Sequence, residues 1–469
     1  MNTTGDPRST PRPTPAEEAI RTEGPARTES QWWLLGCIML AIALRGMVVW
    51  AHADELTRDR DAYWGMARCL AEGRGFVDAD RLTPTAFRPP LYPIQLAGLM
   101  LVLPAAAAVA VGNLVWGAVT VWATWRAGHS LGLGRGRALA ALLVAIDPLL
   151  LQYSAQPMTE VTCAGLVSLL VLWIVRRDCS ETKRQWGIGL LFGALVLCRP
   201  TFWPFVGLII AERVLSRLVA LNRRTASDGP SSSTALAVPN QCPVPHPIAV
   251  PWRIIVGTLL VVAPWIARNQ VVIGSPIVMT THGGYTLLLA NNPEFYSEVV
   301  ERGWGSEWGR ASFDRWTADL LSELRAQLGP EATELDRDRW QSLRAREFIA
   351  SAPGRFLRAV WYRVRCLWSP APQGESSEKT VSTLVQLVSW YYTVVLIAFA
   401  FGVSLTLIQW LNSRHREWWP LLALVLTVQL VHLVYWTNAR MRAPLVPVIS
   451  LFVAATVAAA GRTRDQLAR

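Results

Sequence analysis

Charged residues are scarce in this chain, and several familiar catalytic motifs are missing. Only 17% of its 469 residues are Asp, Glu, Lys or Arg, whereas 52% are hydrophobic. The sequence has no GxSxG, HExxH or GxxxxGK[ST] pattern, which excludes the simplest hydrolase and ATPase interpretations. Its seven cysteines form no CxxC pair, and we interpret them as small apolar packing residues, not as a disulfide framework or a metal site.

The charges that are present avoid long apolar runs. Residues 254–266 and 443–460 carry none, and residues 32–50 carry only Arg45. A helix needs about 20 apolar residues to cross a bilayer. A soluble protein of this length would have to bury about ten helices that are apolar all round, with too few amphipathic helices left to cover them. The sequence therefore predicts an all-α polytopic membrane protein in contact with membrane lipids.

The net charge of +11 does not indicate a nucleic-acid partner. Arg and Lys lie mostly in short connections between apolar runs, and no basic stripe is interleaved with aromatic residues. Many of the 23 tryptophans flank the apolar runs, where indole rings favour the headgroup layer.

The apolar runs predict about 10–11 transmembrane helices. We place spans at residues 32–50, 137–153, 159–175, 186–198, 202–220, 252–272, 384–411, 418–436 and 443–461. Residues 91–125 are too long for one span, so they form either one crossing plus an interfacial helix or two crossings. We favour one crossing, because short loops flanked by arginine tend to stay cytoplasmic.

This topology divides the chain into five parts. Residues 1–30 form a disordered cytoplasmic tail, and residues 31–272 form an N-terminal transmembrane module with an outer loop at 51–90 and a cytoplasmic linker at 221–251. Residues 273–383 form an extracytoplasmic subdomain, residues 384–461 the C-terminal transmembrane helices, and residues 462–469 a cytoplasmic tail.

Five arginines break the positive-inside pattern because this topology assigns them to the outer face: Arg88, Arg199, Arg268, Arg440 and Arg442. An ionisable side chain at membrane depth is costly, so its usual explanation is a functional partner such as an anion. Each arginine taken singly has an alternative explanation, which is snorkelling toward the headgroups.

The outer loops also carry candidate acids and bases. The first loop contains Asp59, Asp61 and Tyr63, and a carboxylate held there can act as a general base on a hydroxyl group. Glu160 lies at the outer mouth between two spans, although it can equally open a helix. A solvated helix start is the alternative interpretation of the first loop.

A third group of polar residues follows the span at 252–272. Glycines beside Asn, His and Tyr allow donors to approach a polar ligand closely. Its members are Arg268, Asn269, His282, Tyr285, Asn291 and Asn292. A polar turn leaving the membrane is the alternative explanation, and no second histidine lies nearby at zinc spacing.

Four stretches of the chain resemble a known family. They are Asp59-Arg-Asp-Ala-Tyr63, Arg88-Pro-Pro-Leu-Tyr92-Pro93, Leu197-Cys-Arg199-Pro-Thr201 and Arg440-Met-Arg442-Ala-Pro444. In this order they resemble the type C fold membrane glycosyltransferases, specifically the bacterial branch of the protein mannosyltransferase and aminoarabinose transferase-like group.

The resemblance implies inverting transfer of a sugar from a polyprenyl-phosphate donor to a protein, lipid or glycan acceptor. It implies an extracytoplasmic active site in a cell inner membrane. The family's catalytic aspartate corresponds to Asp59, but this chain has Arg60 where the family often has Glu, which leaves Asp61 as a rival base.

The five outward arginines are suited to the donor phosphate, since guanidinium groups bind phosphate in bidentate fashion. We favour Arg88, Arg199 and Arg440 or Arg442 for this contact, with Arg268 positioning the loop. Glu160 is a further catalytic candidate, and substrate contacts fall on Tyr63, Tyr92, Asn269, His282, Tyr285, Asn291 and Asn292. The sequence decides neither for nor against a divalent metal ion, because no spacing of the acidic residues demands one.

A transporter or lipid flippase is the main alternative function. Polytopic proteins with intramembrane charges commonly move substrates, and Arg45 inside the first span favours this interpretation. The sequence shows no inverted repeat, however, and most of its charges lie at span ends beside a long outer loop.

Overall fold

The computed structural model describes residues 15–227, 252–306, 308–371, 381–411 and 416–467. Within these ranges the chain is helical and has no β-strand, only an isolated bridge between Val77 and Pro84. The predicted all-α class is therefore confirmed. Residues 1–14 of the predicted tail, residues 228–251 of the predicted linker and residues 468–469 lie outside the described ranges.

The first half of the chain forms ten α-helices, which lie mostly in one bundle. They are α1 (Pro15–Ala51), α2 (Tyr63–Ala71), α3 (Leu91–Met100), α4 (Ala105–Ser130), α5 (Gly136–Ile146), α6 (Pro148–Gln152), α7 (Glu160–Val175), α8 (Glu181–Cys198), α9 (Pro204–Ser227) and α10 (Trp252–Ile273).

The second half adds a group of polar helices and then returns to apolar ones. They are α11 (Gly283–Ala290), α12 (Pro293–Phe295), α13 (Arg310–Leu328), α14 (Glu334–Ser351), α15 (Pro353–Leu367), α16 (Ser382–Leu411), α17 (Trp419–Val431) and α18 (Val446–Leu467). A 3-10 segment, Ala439–Leu445, leads into α18.

Five helical segments are long and apolar enough to cross a membrane: Gln31–Ala51, Ala105–Ser130, Trp252–Ile273, Ser382–Gln409 and Ala439–Ala460. A sixth is added if Gly136–Ile146 and Pro148–Ala155, bent by 42°, count as one span. The chain is thus a multi-pass membrane protein.

By length and hydropathy alone, fewer described helices qualify as membrane spans than the 10–11 that the sequence predicts. Helices α7 and α17 are apolar but have only 16 and 13 residues, and α8 begins with charged residues. Between residues 91 and 130, α3 has ten residues and α4 has 26, which agrees with one full crossing there.

Three predicted boundaries differ from the helix ends. Helix α1 begins at Pro15, so residues 15–30 of the predicted tail lie within it. Helix α9 continues to Ser227 and α18 to Leu467, beyond the predicted span ends. The extensions of α1 and α9 contain Ala and Arg with acidic or amide residues, and the extension of α18 contains Arg, Asp and Gln. Several of these residues favour helix even where they are polar.

Ion pairs join helix ends at one end of the bundle, away from the loop that follows α1. Arg126 near the end of α4 lies 3.6 Å from Asp178, which follows α7, and Arg177 lies 3.4 Å from Glu417. The other ends of these helices, together with the loop after α1, meet at the opposite side. The bundle therefore has two distinct polar ends.

Arg45, the charged residue inside the first apolar run, has a structural role at the break after α5. Its guanidinium donates to the carbonyls of Val144 and Ala145, each at 3.1 Å, and the side chain is fully buried. Pro148 begins the next helix and has no N–H, so the Val144 carbonyl lacks its usual helical donor. The usual donor of the Ala145 carbonyl, the N–H of Leu149, donates to the Tyr392 hydroxyl at 3.1 Å. A Cβ added at Gly117 would lie 2.5 Å from Arg45 Nε, which shows why glycine occurs there.

We expect Arg45→Met to destabilise the bundle by about 2 kcal/mol or more, since two carbonyls at membrane depth would lose their donors. The measurement is the thermal unfolding midpoint of the full chain in detergent. Arg81→Met, in an exposed loop, is the matched control. An unchanged midpoint for Arg45→Met would contradict this role.

Candidate functional site

Three arginines and two carboxylates from five separate segments meet at one end of the bundle. We call them the charged cluster: Asp61, Arg88, Glu160, Arg199 and Arg440. Glu160 lies at the first turn of α7, and Arg199 directly follows α8. Asp61 lies before α2, Arg88 before α3 and Arg440 before α18. The cluster therefore depends on how the helices pack.

Arg440 is the central residue of the charged cluster. Its Nη2 donates to Asp61 Oδ2 at 2.9 Å, and its Nε lies 2.8 Å from Glu160 Oε1. The second contact is an ion pair that is not aligned as a hydrogen bond, because Arg440 Nε has no hydrogen-bond acceptor among the described residues. One guanidinium thus links the first outer loop to α7.

The two other arginines each hold one of these carboxylates. Arg88 Nη2 donates to Asp61 Oδ1 at 3.3 Å, and Arg199 Nη2 donates to Glu160 Oε1. Arg199 Nε also donates to the hydroxyl of Thr159 at 2.9 Å. The result is a continuous chain of alternating positive and negative groups.

Glu160 is fully buried at the first turn of α7, where the helix N-terminus favours a negative charge. Its Oε2 atom accepts no hydrogen bond from the part of the chain that the structure describes. The buried Nε of Arg88 likewise donates no hydrogen bond to any described residue. The charged cluster therefore retains unused donors and an unused acceptor away from solvent.

Burial alone would raise the pKa of Asp61, but the nearby guanidiniums of Arg440 and Arg88 outweigh it and hold that pKa below its ordinary value. Asp61 is therefore ionised at neutral pH. Burial lowers the pKa of His282 well below its ordinary value, and Arg88 adds to this shift. His282 is thus a neutral imidazole beside the charged cluster.

Asp59, two residues before Asp61, lies outside the charged cluster. Its two carboxylate oxygens accept the backbone N–H groups of Trp64 at 3.1 Å and Gly65 at 2.7 Å. Asp59 therefore fixes the start of α2 while its side chain stays exposed. Each oxygen still has a free lone pair that can face a hydroxyl group.

Four of the predicted substrate residues border the charged cluster. The guanidinium of Arg88 lies 5.4 Å from the ring centroid of Tyr63, whose ring is 5.6 Å from that of Tyr92. On the other side the ring of His282 is 5.4 Å from Tyr285 and 4.3 Å from Phe87, the neighbour of Arg88. Tyr63 and Phe87 thus place aromatic rings against the Arg88 guanidinium.

Arg268 and Asn269, by contrast, bind backbone outside the charged cluster. Arg268 donates to the carbonyls of Thr85 at 2.8 Å and Phe76 at 2.6 Å, and Asn269 donates to Ile277. Arg268 therefore anchors the first outer loop to α10. Its predicted contact with a donor phosphate gains no support, because its Nη1 and Nη2 atoms bind these carbonyls.

Arg442, Asn291 and Asn292 are also structural in their contacts. Arg442 is buried and donates to the carbonyls of Leu367 and Ser369 at the end of α15. Asn291 binds the carbonyls of Leu287 and Val434, and Asn292 caps α12. None of the three reaches the charged cluster in the described part of the chain.

The sequence predicts that glycines after the span at 252–272 allow a polar ligand to approach closely. At Gly284 the group that approaches is another part of the protein and not a ligand in an open site. A Cβ at Gly284 would lie 2.1 Å from the carbonyl oxygen of Asp338 on α14, and the Gly284 N–H donates to the Asp338 carboxylate at 2.6 Å. This contact joins α11 to the subdomain helices.

Two residues of this region were missed by the sequence interpretation. Glu334, at the start of α14, accepts from the Thr85 hydroxyl at 2.8 Å and the Ala86 N–H at 3.1 Å, so it ties the subdomain to the loop that carries Arg88. Thr159 orients Arg199. Neither residue belongs to a motif that signals such a contact.

No family model and no curated protein matches the chain. Solved structures do match over most of its length. ArnT from Cupriavidus metallidurans bound to undecaprenyl phosphate has 13% identity and a TM-score of 0.40, with 92% of this chain and 79% of that chain covered.

The apo form of ArnT gives 13% identity, a TM-score of 0.38 and coverage of 91% and 78%. The apo oligosaccharyltransferase of Archaeoglobus fulgidus gives 12% identity and a TM-score of 0.45, with 92% of this chain covered. This chain spans about half of that protein, with 51% covered.

The burial of the two cluster carboxylates predicts unequal effects on stability. Glu160→Gln leaves Arg199 and Arg440 buried without their shared anion, so we expect a loss of about 3–5 kcal/mol. Asp61→Asn affects a partly exposed side chain, 21% accessible, and we expect about 1 kcal/mol. Thermal unfolding in detergent compares the two variants, and equal losses would contradict the difference in burial.

Proposed function

We propose that the chain is an inverting glycosyltransferase that moves a sugar from a polyprenyl-phosphate donor to an acceptor hydroxyl group. The observation that carries this proposal is the convergence of Arg88, Arg199 and Arg440 at the mouth of an apolar bundle. A lipid-linked phosphate presents its anion at this depth while its prenyl chain stays among apolar helices. ArnT, one of the similar solved structures, binds undecaprenyl phosphate.

The net charge of the cluster fits such a donor. Its three guanidiniums and two carboxylates leave one positive charge, which a phosphodiester balances. Arginine suits this task because its planar donors match phosphate oxygens. As the bond to the sugar breaks, charge grows on the phosphate, and preorganised guanidiniums stabilise that growth.

In the proposed reaction the acceptor oxygen attacks the anomeric carbon from the side opposite the phosphate. The bond between that carbon and the phosphate oxygen breaks, and its electron pair leaves with the polyprenyl phosphate. The hydroxyl proton passes to a carboxylate. Inversion follows from this single displacement.

Asp59 is the base in this proposal, with Asp61 as its rival. The two N–H bonds to Asp59 orient its carboxylate, and its exposure leaves room for an acceptor. Asp61 is held between two guanidiniums that weaken it as a base. Glu160 takes the part of a buried counter-ion that orients Arg199 and Arg440.

We assign acceptor recognition to the subdomain of residues 273–383. Glu334 supports this assignment, because its contacts with Thr85 and Ala86 hold α14 against the loop of Arg88. His282 and Tyr285 border the same side. We further propose that this end of the bundle faces the outside of a cell inner membrane, since the opposite end carries the denser set of Arg and Lys connections.

The enzyme assay uses membranes or detergent-purified protein with polyprenyl-phosphate sugars and measures transfer to added acceptors. We expect Asp59→Asn to lower the rate about 10²- to 10⁴-fold, as for loss of a general base. Arg440→Gln should lower it by about 100-fold through loss of phosphate stabilisation. Asp54→Asn, an exposed carboxylate of the same loop, is the control with normal activity.

Normal sugar transfer by Asp59→Asn together with loss of sugar transfer in Asp61→Asn would assign the base to Asp61. Full activity in both the Asp59 and Arg440 variants would contradict the glycosyltransferase mechanism. Transport of a polyprenyl-phosphate sugar across liposomes without any transfer would favour the flippase alternative.

A further inference from the structure

Two aspartates that are two residues apart in the first outer loop have unrelated partners. Asp59 binds the amides that open α2, whereas Asp61 binds Arg88 and Arg440. Between Asp61 and α2, Ala62 adopts a left-handed conformation with φ of 63°. This conformation is costly for a residue with a Cβ, so the turn that separates the two carboxylates is maintained by their contacts.

Asp61 occupies two donors that an incoming phosphate would use. Arg199 directs Nε to Thr159 and Nη2 to Glu160, and the Nη1 atoms of Arg199 and Arg440 face the sulfurs of Met441 and Met158. The guanidinium atoms that pair with a partly exposed carboxylate in the described part of the chain are Nη2 of Arg88 and Nη2 of Arg440. Both donate to Asp61. A carboxylate and a phosphate present similar oxygen acceptors to guanidinium groups, so they compete for the same two donors.

The two cluster carboxylates differ in whether they can leave. Glu160 is 0% accessible and is held by two arginines at the first turn of α7. Asp61 is 21% accessible and lies on a loop, so it can rotate toward solvent without unfolding a helix. Solvation of the displaced carboxylate offsets part of its lost ion pairs.

We propose that Asp61 is an internal competitor for the donor phosphate: it holds the anion site of Arg88 and Arg440 when the site is empty, is displaced by the donor, and returns to help release the polyprenyl phosphate product. This inference rests on the proposed function, because it takes the cluster arginines as the phosphate site. Asp61 is then a positioning residue and not the base.

The charges on both sides of the reaction agree with this role. With Asp61 displaced, three guanidiniums and Glu160 leave two positive charges facing the ligand. The donor phosphodiester carries one negative charge, and the leaving phosphate monoester carries two once the acceptor proton has passed to Asp59. The product would therefore bind more tightly than the donor, and a returning carboxylate accelerates its release.

The first experiment measures binding of undecaprenyl phosphate to the purified full chain in nanodiscs. If Asp61 occupies the arginines about nine-tenths of the time, its removal tightens binding about tenfold, so we expect Asp61→Asn to lower the Kd by that factor. Glu55→Gln is the matched control, because in the described part of the chain Glu55 pairs with Arg58 and Arg60 of the same loop and not with the charged cluster. Its Kd should equal that of the wild type.

Inorganic phosphate is titrated in a parallel arm. We expect it to bind far more weakly than undecaprenyl phosphate in every variant and to compete with it. Equal affinity for both would mean that the site takes free phosphate, which overturns the lipid-linked donor and with it the proposed function.

The second experiment separates KM from kcat in the transfer assay. Asp61→Asn should lower KM for the donor and also lower kcat, because product release slows. A wild-type Kd in both folded Asp61→Asn and folded Asp61→Ala, with Arg440→Gln weakening binding, overturns the competitor role but leaves the phosphate site intact. Asp61→Ala is the second variant, and tighter binding in either folded variant supports the inference. Absence of undecaprenyl phosphate binding in the wild type contradicts the proposed function itself.

Discussion

The contact of Arg440 with Asp61 and Glu160 is the interaction on which the rest of the site depends. It links the loop after the first span, the start of α7 and the segment before α18, which are distant in sequence. A buried guanidinium is stable only when it is paired, and the same holds for the buried Glu160 carboxylate. The cost of leaving either group unpaired therefore fixes how these helix ends meet, and it fixes them at one end of the bundle.

This constraint explains why neighbouring acidic residues differ in chemistry. Asp59 and Asp61 belong to one short loop, yet one accepts backbone N–H bonds in an exposed position and the other lies between two guanidiniums. Hydrogen bonds to the amides orient a carboxylate, and ion pairs stabilise its charged form at the expense of its basicity. The surroundings of Asp59 and Asp61, and not their residue type, therefore distinguish a candidate base from a carboxylate that can occupy the phosphate site.

The sequence predicts that a charged site exists better than it predicts which residues form it. Arg88, Arg199 and Arg440 stand out because they lie beside apolar runs at the ends that the predicted topology assigns to the outer face, and the charged cluster contains all three. Arg268 and Arg442 show the same pattern but bind backbone carbonyls. Arg440 and Arg442 lie two residues apart in a 3-10 segment, where successive residues turn by about 120°, so they leave its axis in different directions. Proximity to a span cannot reveal which direction faces the site.

The partners of the buried arginines divide them by function. Arg45, Arg268 and Arg442 donate to backbone carbonyls at breaks, loops and helix ends, which cannot turn to solvent as a side chain can. Arg88 and Arg440 donate to a carboxylate, which can turn to solvent and leave its place to another anion. Replacing the acceptor by another anion therefore costs less free energy at Arg88 and Arg440 than at Arg45, Arg268 and Arg442. An arginine near the membrane surface indicates a ligand site when its acceptor is a mobile charged group. It indicates a structural contact when its acceptor is a backbone carbonyl.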